Sequence, residues 1–503
     1  MSIVEKLVEV NYIKEDLRSA INEHYGTEEL VYSDGLVEYA NAIDNIDTSN
    51  YTLPTEPKAV NFIDYDGTLL YAYTAQEFQA MEGLPRNPWH SGLIAQGWNW
   101  TREEILDYLT RAERIDISQN YITDDGATRL YIHKRSLATQ YLYYYQSIAG
   151  SMEVDWGDGT EHTITNSTGP QISHQYAETG DYIIRIIPRR ECVFDLTTSQ
   201  NTNQSITIFG SINSRRALFK ELYKVELGAN ITHIGHSAFN NFSELETITV
   251  PTSVQDFRNC CFYMNTKLKH ISFPRGAALK IQSFYMCLCF KYLCLPANIE
   301  ILLGANYIFE YNYNLRYALL PDTITQIPNG LLMECPNLEN VYMPKNLTSI
   351  GTEVFKGCNR LKEVNIPETV SVIGTTNGTA NAYVFGYCAS LKALIIPEGV
   401  SIWPQYTAFD TMIMSMIDFP STITYIGTNS IRIWWMKDFI IRAETPPTLA
   451  TTTSITGQQS FLKIYVPYSE DHSILGAYQT ATNWSALASY MTELTSDGTI
   501  PTE

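Results

Sequence analysis

One short phrase returns along the second half of the chain, and it limits the possible folds more than any other feature. Its clearest copies are Leu338-Glu339-Asn340-Val341-Tyr342-Met343-Pro344 and Leu361-Lys362-Glu363-Val364-Asn365-Ile366-Pro367. Each follows a turn carrying a cysteine, Cys335 or Cys358, and precedes a second apolar run such as Leu347-Thr348-Ser349-Ile350-Gly351. The prolines closing the phrase are Pro251, Pro274, Pro296, Pro321, Pro344, Pro367, Pro397 and Pro420, with successive spacings of 23, 22, 25, 23, 23, 30 and 23 residues. A fixed period of this size marks a solenoid of stacked supersecondary units. Read as a strand, the phrase alternates, and its inward pairs are all apolar: Ile248/Val250, Ile271/Phe273, Leu293/Leu295, Ala318/Leu320, Val341/Met343, Val364/Ile366, Leu394/Ile396 and Ile417/Phe419. No coil can bury its own pair. Its neighbours do, at about 1.5–3 kcal/mol per large side chain. Proline at the strand exit stops the ladder and turns the chain. About ten strands at ~4.8 Å make a rod of roughly 50 Å.

The solenoid is expected over residues 221–467. The long step before Pro397 places a bulging loop near Thr375-Thr376-Asn377-Gly378-Thr379. Asp438-Phe439-Ile440-Ile441-Arg442-Ala443 keeps the step without its proline. In residues 468–503, Ala477–Trp484 is similar to the short terminal helix of BspA-like leucine-rich repeat proteins, a resemblance that implies a cap on the open end, and the tail is expected to fray from Ser496.

Outward strand positions should be polar if they only meet water. Early ones are (Thr247, Thr249, His270, Ser272), but Tyr292, Cys294, Tyr317, Leu319 and Tyr342 line up next, and Ile395, Met416 and Ile440 continue the column. An apolar column of that length is a candidate partner surface, centred on Tyr292, Tyr317, Leu319 and Tyr342. The alternatives are a second layer, loop or sister chain that covers it, or a register shifted by one. Trp403, Tyr406, Trp434 and Trp435 are a second candidate, for stacking on a sugar.

Ahead of the solenoid the pattern changes several times. In 1–57, Ile3, Leu7, Val10, Ile13, Leu17 and Ile21 give a helix over 2–24 with a Ser2/Glu5 capping box, and Leu36 to Ile46 gives a second short apolar pattern before a linker. Such a segment buries too little by itself, so it docks on a partner chain, on its own copies or on the next domain. Residues 58–125 read as a small α+β unit. It holds Phe62-Ile63-Asp64-Tyr65-Asp66-Gly67-Thr68, a hairpin signal, and a helix capped by Thr101-Arg102-Glu103-Glu104 and carrying Ile105, Leu106 and Leu109. Residues 126–190 turn to period two around Val154-Asp155-Trp156-Gly157-Asp158-Gly159-Thr160, and 191–220 read as a connector. The fold class is multidomain and mainly β.

Composition narrows function. Charged residues are 17%, below the roughly 25% of an average globular protein, and 34 tyrosines favour strands. A net charge of -20 argues against a nucleic-acid surface and against docking on an anionic membrane. No run of ~18 apolar residues is present to span a bilayer, and the start, Met1-Ser2-Ile3-Val4, lacks the pattern of a secretory signal. The cysteines at the repeat turn (Cys261, Cys287, Cys335, Cys358, Cys388) suit buried apolar spacers, and Cys260-Cys261 and Cys287-Leu288-Cys289 lack zinc spacing. No cofactor and no metal site is expected. No catalytic constellation stands out, so the chain reads as a non-enzyme.

Several phrases resemble known families. Asp64-Tyr65-Asp66-Gly67-Thr68 resembles the first motif of haloacid-dehalogenase-type phosphatases, which implies Asp64 as nucleophile and Mg²⁺. The Pro- and Trp-rich stretch after it (Pro85, Pro88, Gly92, Gly97, Trp98, Trp100) leaves no room for that fold and favours the hairpin. The WGDG turn with His174-Gln175-Tyr176 and Gly180-Asp181-Tyr182 resembles a PKD/Ig-like β-sandwich. There Asp155 and Asp158 either bind Ca²⁺ or, as the commoner arrangement, hold their own turn. The repeats resemble BspA-like leucine-rich repeats. The order of parts, with Asp64–Trp100, is similar to virion proteins of gut-bacterial phages. That resemblance implies a phage tail, baseplate or fibre component. It would be held to other virion proteins by residues 1–46, be a homo-oligomer in one version, and meet a host surface glycan or protein through its repeats. The alternative is a bacterial cell-surface adhesin of BspA type, and a remote one is a phosphatase-like enzyme.

Overall fold

A computed structural model of the protein describes Pro54 and residues 56–501, apart from 149–150, 166–170, 190–192, 197–205, 212–215, 229, 303, 412–413 and 458–461. The helix expected over 2–24 and the apolar pattern of 36–46 lie outside the described residues. What is described is mainly β, with few helices and a C-terminal solenoid.

Strands β1 (Val60–Ile63) and β2 (Leu69–Tyr73) form the antiparallel hairpin that the Asp-Gly signal implies. Gly67 takes φ +89°, where only glycine is unstrained, and the Asp66 carboxylate accepts the Thr68 N–H at 2.9 Å. A short helix α1 (Ala75–Gln79), strand β3 (Leu93–Trp98), helix α2 (Arg102–Tyr108) and strand β4 (Ile115–Thr123) complete the unit. Its sheet runs β2-β1-β4-β3, with β1 and β4 parallel. The expected capping box on α2 is present: Glu104 N–H reaches Thr101 Oγ1 at 3.3 Å and Thr101 N–H reaches the Glu104 carboxylate at 2.8 Å.

The next unit places β5 (Thr128–Lys134), β8 (Ser151–Asp155), β9 (Glu161–Thr165) and β11 (Gly180–Pro188) in one antiparallel sheet. Smaller antiparallel pairs join β6 (Gln140–Tyr143) to β10 (Gln171–His174), and β7 (Tyr145–Ile148) to β12 (Val193–Asp195). The sheet does not stop at the unit's edge. β5 also pairs antiparallel with Leu222–Glu226, the first strand of the solenoid, which pairs in parallel with Thr247–Thr249. An edge that would offer unpaired backbone groups is thereby used. Ile208 and Phe209, in the expected connector, are buried in the same continuous core.

Solenoid coils stack in parallel. Leu293 pairs with Ala318 and Ala318 with Val341, so each inward pair faces its neighbour's. The expected inward residues are buried, with Val341 and Ile366 partly so. A second parallel ladder uses the Ile-Gly position, as in Gln326–Ile327, Ser349–Ile350 and Val372–Ile373. At the remaining corner Phe239, Phe262, Phe284 and Phe309 stack at centroid separations of 5.3, 5.5 and 5.6 Å. Every cysteine among the described residues is a free thiol. Cys335 Sγ donates to the Phe309 carbonyl at 3.4 Å, one coil back.

The far end is sealed by helix Ser473–Thr480 and a following 3-10 turn, which bury Tyr478 and Trp484. Tyr478 Oη and Trp484 Nε1 each donate at 2.7 Å to carbonyls of the last coil, Ala443 and Pro447. The tail does not fray at Ser496 as expected. Leu494 and Ile500 pack against Ile440 and Tyr465, because those apolar strand residues would otherwise face water.

Each core phenylalanine touches the coils on both sides, so its loss opens a cavity neither coil can fill. Phe284→Ala should cost about 3–5 kcal/mol, read by urea denaturation followed by far-UV circular dichroism.

Candidate partner-binding face

Tyr292, Tyr317, Leu319 and Tyr342 stand on successive strands as the sequence implies, but they are not a free surface. The α+β unit lies on them. Tyr317 and Leu319 are buried in one apolar cluster with Trp100, Ile105, Tyr108, Ile115 and Ile117. The Arg114 guanidinium sits 3.3 Å from the centre of the Tyr292 ring, and Arg111 donates to Tyr342 Oη and pairs with Asp322 at 2.7 Å. The strand-exit carbonyls before Pro251 and Pro274 are met as well. The buried amides of Asn120 and Asn99 donate to the Val250 and Phe273 carbonyls at 2.9 and 3.2 Å. The column is apolar because it is the floor of an interdomain core.

Trp403 is also corrected: it is fully buried inside the coil, with Nε1 donating to the Ser430 carbonyl at 3.3 Å. Tyr406 is half-buried and stacks on Tyr383 at 4.9 Å. Trp434 and Trp435 are 46% and 53% exposed at the corner before strand Asp438–Ile441, and Ile395 is 63% exposed beyond the cover. Asp64, the nucleophile of the phosphatase resemblance, is buried. It accepts from Tyr121 Oη at 2.8 Å and lies 2.7 Å from His90 Nε2, so its carboxylate is engaged inside the unit. Asp155 and Asp158 hold their own turn through the Gly157 and Thr160 amides at 2.8 and 3.1 Å. Among the described residues no group of three or more His, Cys, Asp or Glu is arranged to hold a metal.

The open face is one that the sequence reading reached only at Tyr406. At the phenylalanine corner two residues per coil adopt positive φ, mostly without glycine: Tyr307, Glu353, Tyr383 and Tyr406 in one column, Tyr311, Glu334, Tyr387 and Asp410 in another. The left-handed region costs a non-glycine residue roughly 1–2 kcal/mol. In return the turn keeps the phenylalanine inward and swings its flanking side chains out. Inter-coil hydrogen bonds set the register, as in Tyr311 N–H to the Met333 carbonyl at 3.0 Å and Glu334 N–H to the Lys356 carbonyl at 2.7 Å.

These columns form a continuous aromatic and charged band. Tyr263 and Tyr285 stack at 4.2 Å, and Tyr285 meets Tyr311 edge-on at 5.3 Å. Tyr307 Oη donates to Glu353 at 3.2 Å, Lys356 pairs with Glu353 at 2.6 Å, and its ammonium lies 5.3 Å from the Tyr383 ring. Tyr406 meets Phe409, over which Arg432 lies at 5.0 Å. Two glycines make room for this arrangement. A Cβ on Gly330 would sit 2.1 Å from the Tyr307 ring, and one on Gly357 would sit 2.6 Å from the Glu334 carboxylate.

Glu310 lies in the middle of the band and is only 7% exposed. Among the described residues no hydrogen bond or ion pair reaches its carboxylate. Burial and the carboxylates of Glu353 and Glu334 push it up to about 7, with Lys356 opposing. Elsewhere, an open depression of about 380 Å³ has only exposed charged residues, Lys269, Lys291 and Arg316.

The BspA type leucine rich repeat family matches residues 203–304, 277–377 and 376–445, in six copies. Residues 203–445 are BspA-type leucine-rich repeats. Repeat-bearing solved structures are similar at low identity. A leucine-rich repeat protein from Bacteroides ovatus is 18% identical over 63% of this chain and 83% of its own, with a TM-score of 0.41. A leucine rich cell surface protein from Faecalibacterium prausnitzii is 18% identical over 55% and 84%, TM-score 0.33. The pneumococcal vaccine antigen PcpA is 16% identical over 56% and 68%, TM-score 0.37. No curated protein matches the chain.

Glu310 makes a testable statement about the repeats. Its proton is held up to about 7 in the fold but leaves near 4.5 in the unfolded chain, so native stability falls as pH rises from about 4.5 through 7. Glu310→Gln should therefore stabilise the protein at pH 8, by about 1–2 kcal/mol after allowance for solvent screening, and do nothing at pH 4.5. Thermal melts of both proteins at the two pH values check it.

Proposed function

We propose that the protein is a non-enzymatic, adhesion-type repeat protein of a bacterial cell surface, which meets its partner through the side face running from Tyr263 to Arg432. The observation that carries this reading is the contrast between two faces of the same repeats. The apolar strand column is covered and hydrogen-bonded by the chain's own α+β unit, whereas the aromatic and charged band is open along many coils. Tyrosine supplies contact area at low conformational cost in protein interfaces, and arginine is enriched with it at their hot spots. The BspA-type repeats support an adhesive role. Trp434 and Trp435, exposed at the neighbouring corner, extend the surface and suit a sugar or protein partner. The virion reading depends on residues 1–46, which lie outside the described residues, and nothing in the fold favours it.

Two measurements test the proposal. Immunolabelling of intact producing cells, with mass spectrometry of envelope fractions and purified virions, should find the protein on the envelope; recovery in virions alone would overturn the cellular placement. Beads coated with the full chain should adhere to neighbouring bacteria or host cells. Replacing Tyr311, Tyr387 and Trp434 together by alanine should cut bead retention at least tenfold without lowering the melting temperature by more than a few degrees. Unchanged retention would remove the side face from the account.

A further inference from the structure

The strongest unexplained group outside the interdomain core is Glu310. Glu310 is 7% exposed as a whole residue, and a charged side chain so placed ordinarily has a partner, because an unpaired charge taken out of water is costly. Here two other carboxylates, Glu334 and Glu353, face it, and the one ammonium nearby, Lys356, is held by Glu353 at 2.6 Å. The phenols of Tyr285, Tyr307 and Tyr311, on the same and adjacent coils, lie near enough to feel its charge. Among the described residues, three carboxylates beside three phenols share one ammonium, and Glu353 already engages it.

We propose that the Glu310 recess is a subsite for an organic cation, an alkylammonium or guanidinium group, delivered by a lysine or arginine side chain of a protein partner. Ring faces attract such a cation and exclude water around it, and the carboxylate supplies the charge. An amine carried directly on a sugar ring has the same chemistry. A side chain suits the position better, because its charge rides on a thin flexible stem rather than directly on a bulky ring. The net charge of -20 steers a basic partner toward the rod before contact. This inference rests on the adhesive reading of the side face and gives it a partner chemistry.

Occupancy is linked to protons. Binding of a cation favours ionised Glu310, so a proton leaves as the ligand enters. Of the groups near it, the three phenols and the Cys335 thiol are pushed upward by burial, the thiol to about 12, and Lys356 is raised by Glu353, so none of these turns over between pH 6 and 8. Glu334 is raised too, by burial, and Glu334→Gln serves as its control.

The full chain is titrated by calorimetry and NMR with acetylated, amidated Gly-Lys-Gly and Gly-Arg-Gly, with Gly-Gln-Gly as the neutral control and with glucosamine. Saturable binding of a lysine or arginine peptide is expected, about tenfold tighter at pH 8 than at pH 6, as the ionised fraction of a group near pH 7 requires. Glu310→Gln should abolish it. Glu334→Gln should weaken it but keep the pH dependence, and Glu363→Gln, exposed on the strand side, should leave it unchanged. Equal binding by Glu310→Gln, absence of saturable binding, or a site that takes glucosamine and neither peptide would each overturn the proposal. Bead adhesion separates the two readings. Beads that lose retention on the triple aromatic substitution, while the peptides never bind, leave the adhesive face standing and remove only the cation subsite.

Discussion

Everything in the rod depends on one coil lending its apolar surface to the next. Leu293, Ala318 and Val341 are stacked by parallel backbone pairing, and no single turn of about 23 residues holds enough interior to shield its own pair. The consequence is that both ends are problems. At the first coil the sheet of the preceding unit solves it by pairing β5 with Leu222–Glu226, which turns two nominal domains into one continuous core. At the last coil Tyr478 and Trp484 plug the interior, and strand Met491–Glu493 takes the final ladder position beside Lys463–Val466.

The same stacking makes the corner strain tolerable. Two left-handed residues per coil would be expensive in an isolated turn, yet here each turn is held by hydrogen bonds to the next coil and by a phenylalanine locked between two others. Once the backbone is over-determined, side chains at those positions are released from packing duty. Tyrosine and glutamate then appear where a purely structural turn would carry asparagine or glycine, as Asn241 and Asn429 still do toward the two ends of the rod.

The sequence made the inward alternation legible because it repeats: Val364 and Ile366 mean little alone, but eight such pairs at one period leave a single reading. The hairpin at Asp66-Gly67 and the cap at Thr101-Glu104 were legible because each is decided within a few residues. The candidate site was not. An apolar column at Tyr317 and Leu319 looks the same in sequence whether a foreign partner or the chain's own helix α2 lies on it, since the contact joins residues about two hundred positions apart, as Tyr108 and Asp322 are. Trp403 was misplaced for a related reason: its coil is the one where the corner phenylalanine gives way to Ala408, and the indole fills that space. The outer band escaped because its signal is not periodic hydrophobicity. It would have been visible as a column taken one residue after the corner phenylalanine, through Tyr263, Tyr285, Glu310, Lys356 and Phe409.

Cover and open face are coupled choices. Strand faces of stacked repeats are flat, and a flat apolar face of that length would join copies of the chain indiscriminately. Here Arg114 over Tyr292, Arg111 with Asp322, and Arg275 with Glu104 at 2.5 Å fix the α+β unit on that face. Each is a charged or cation–ring contact across the interface, so both the apolar area and its polar rim are satisfied within one molecule. The face proposed for recognition instead carries groups that are polar at their tips and aromatic along their length, which stay soluble when empty. Selectivity on such a surface comes from unmet charge rather than from exposed oil, and Glu310 is the place on the band where charge is most completely unmet.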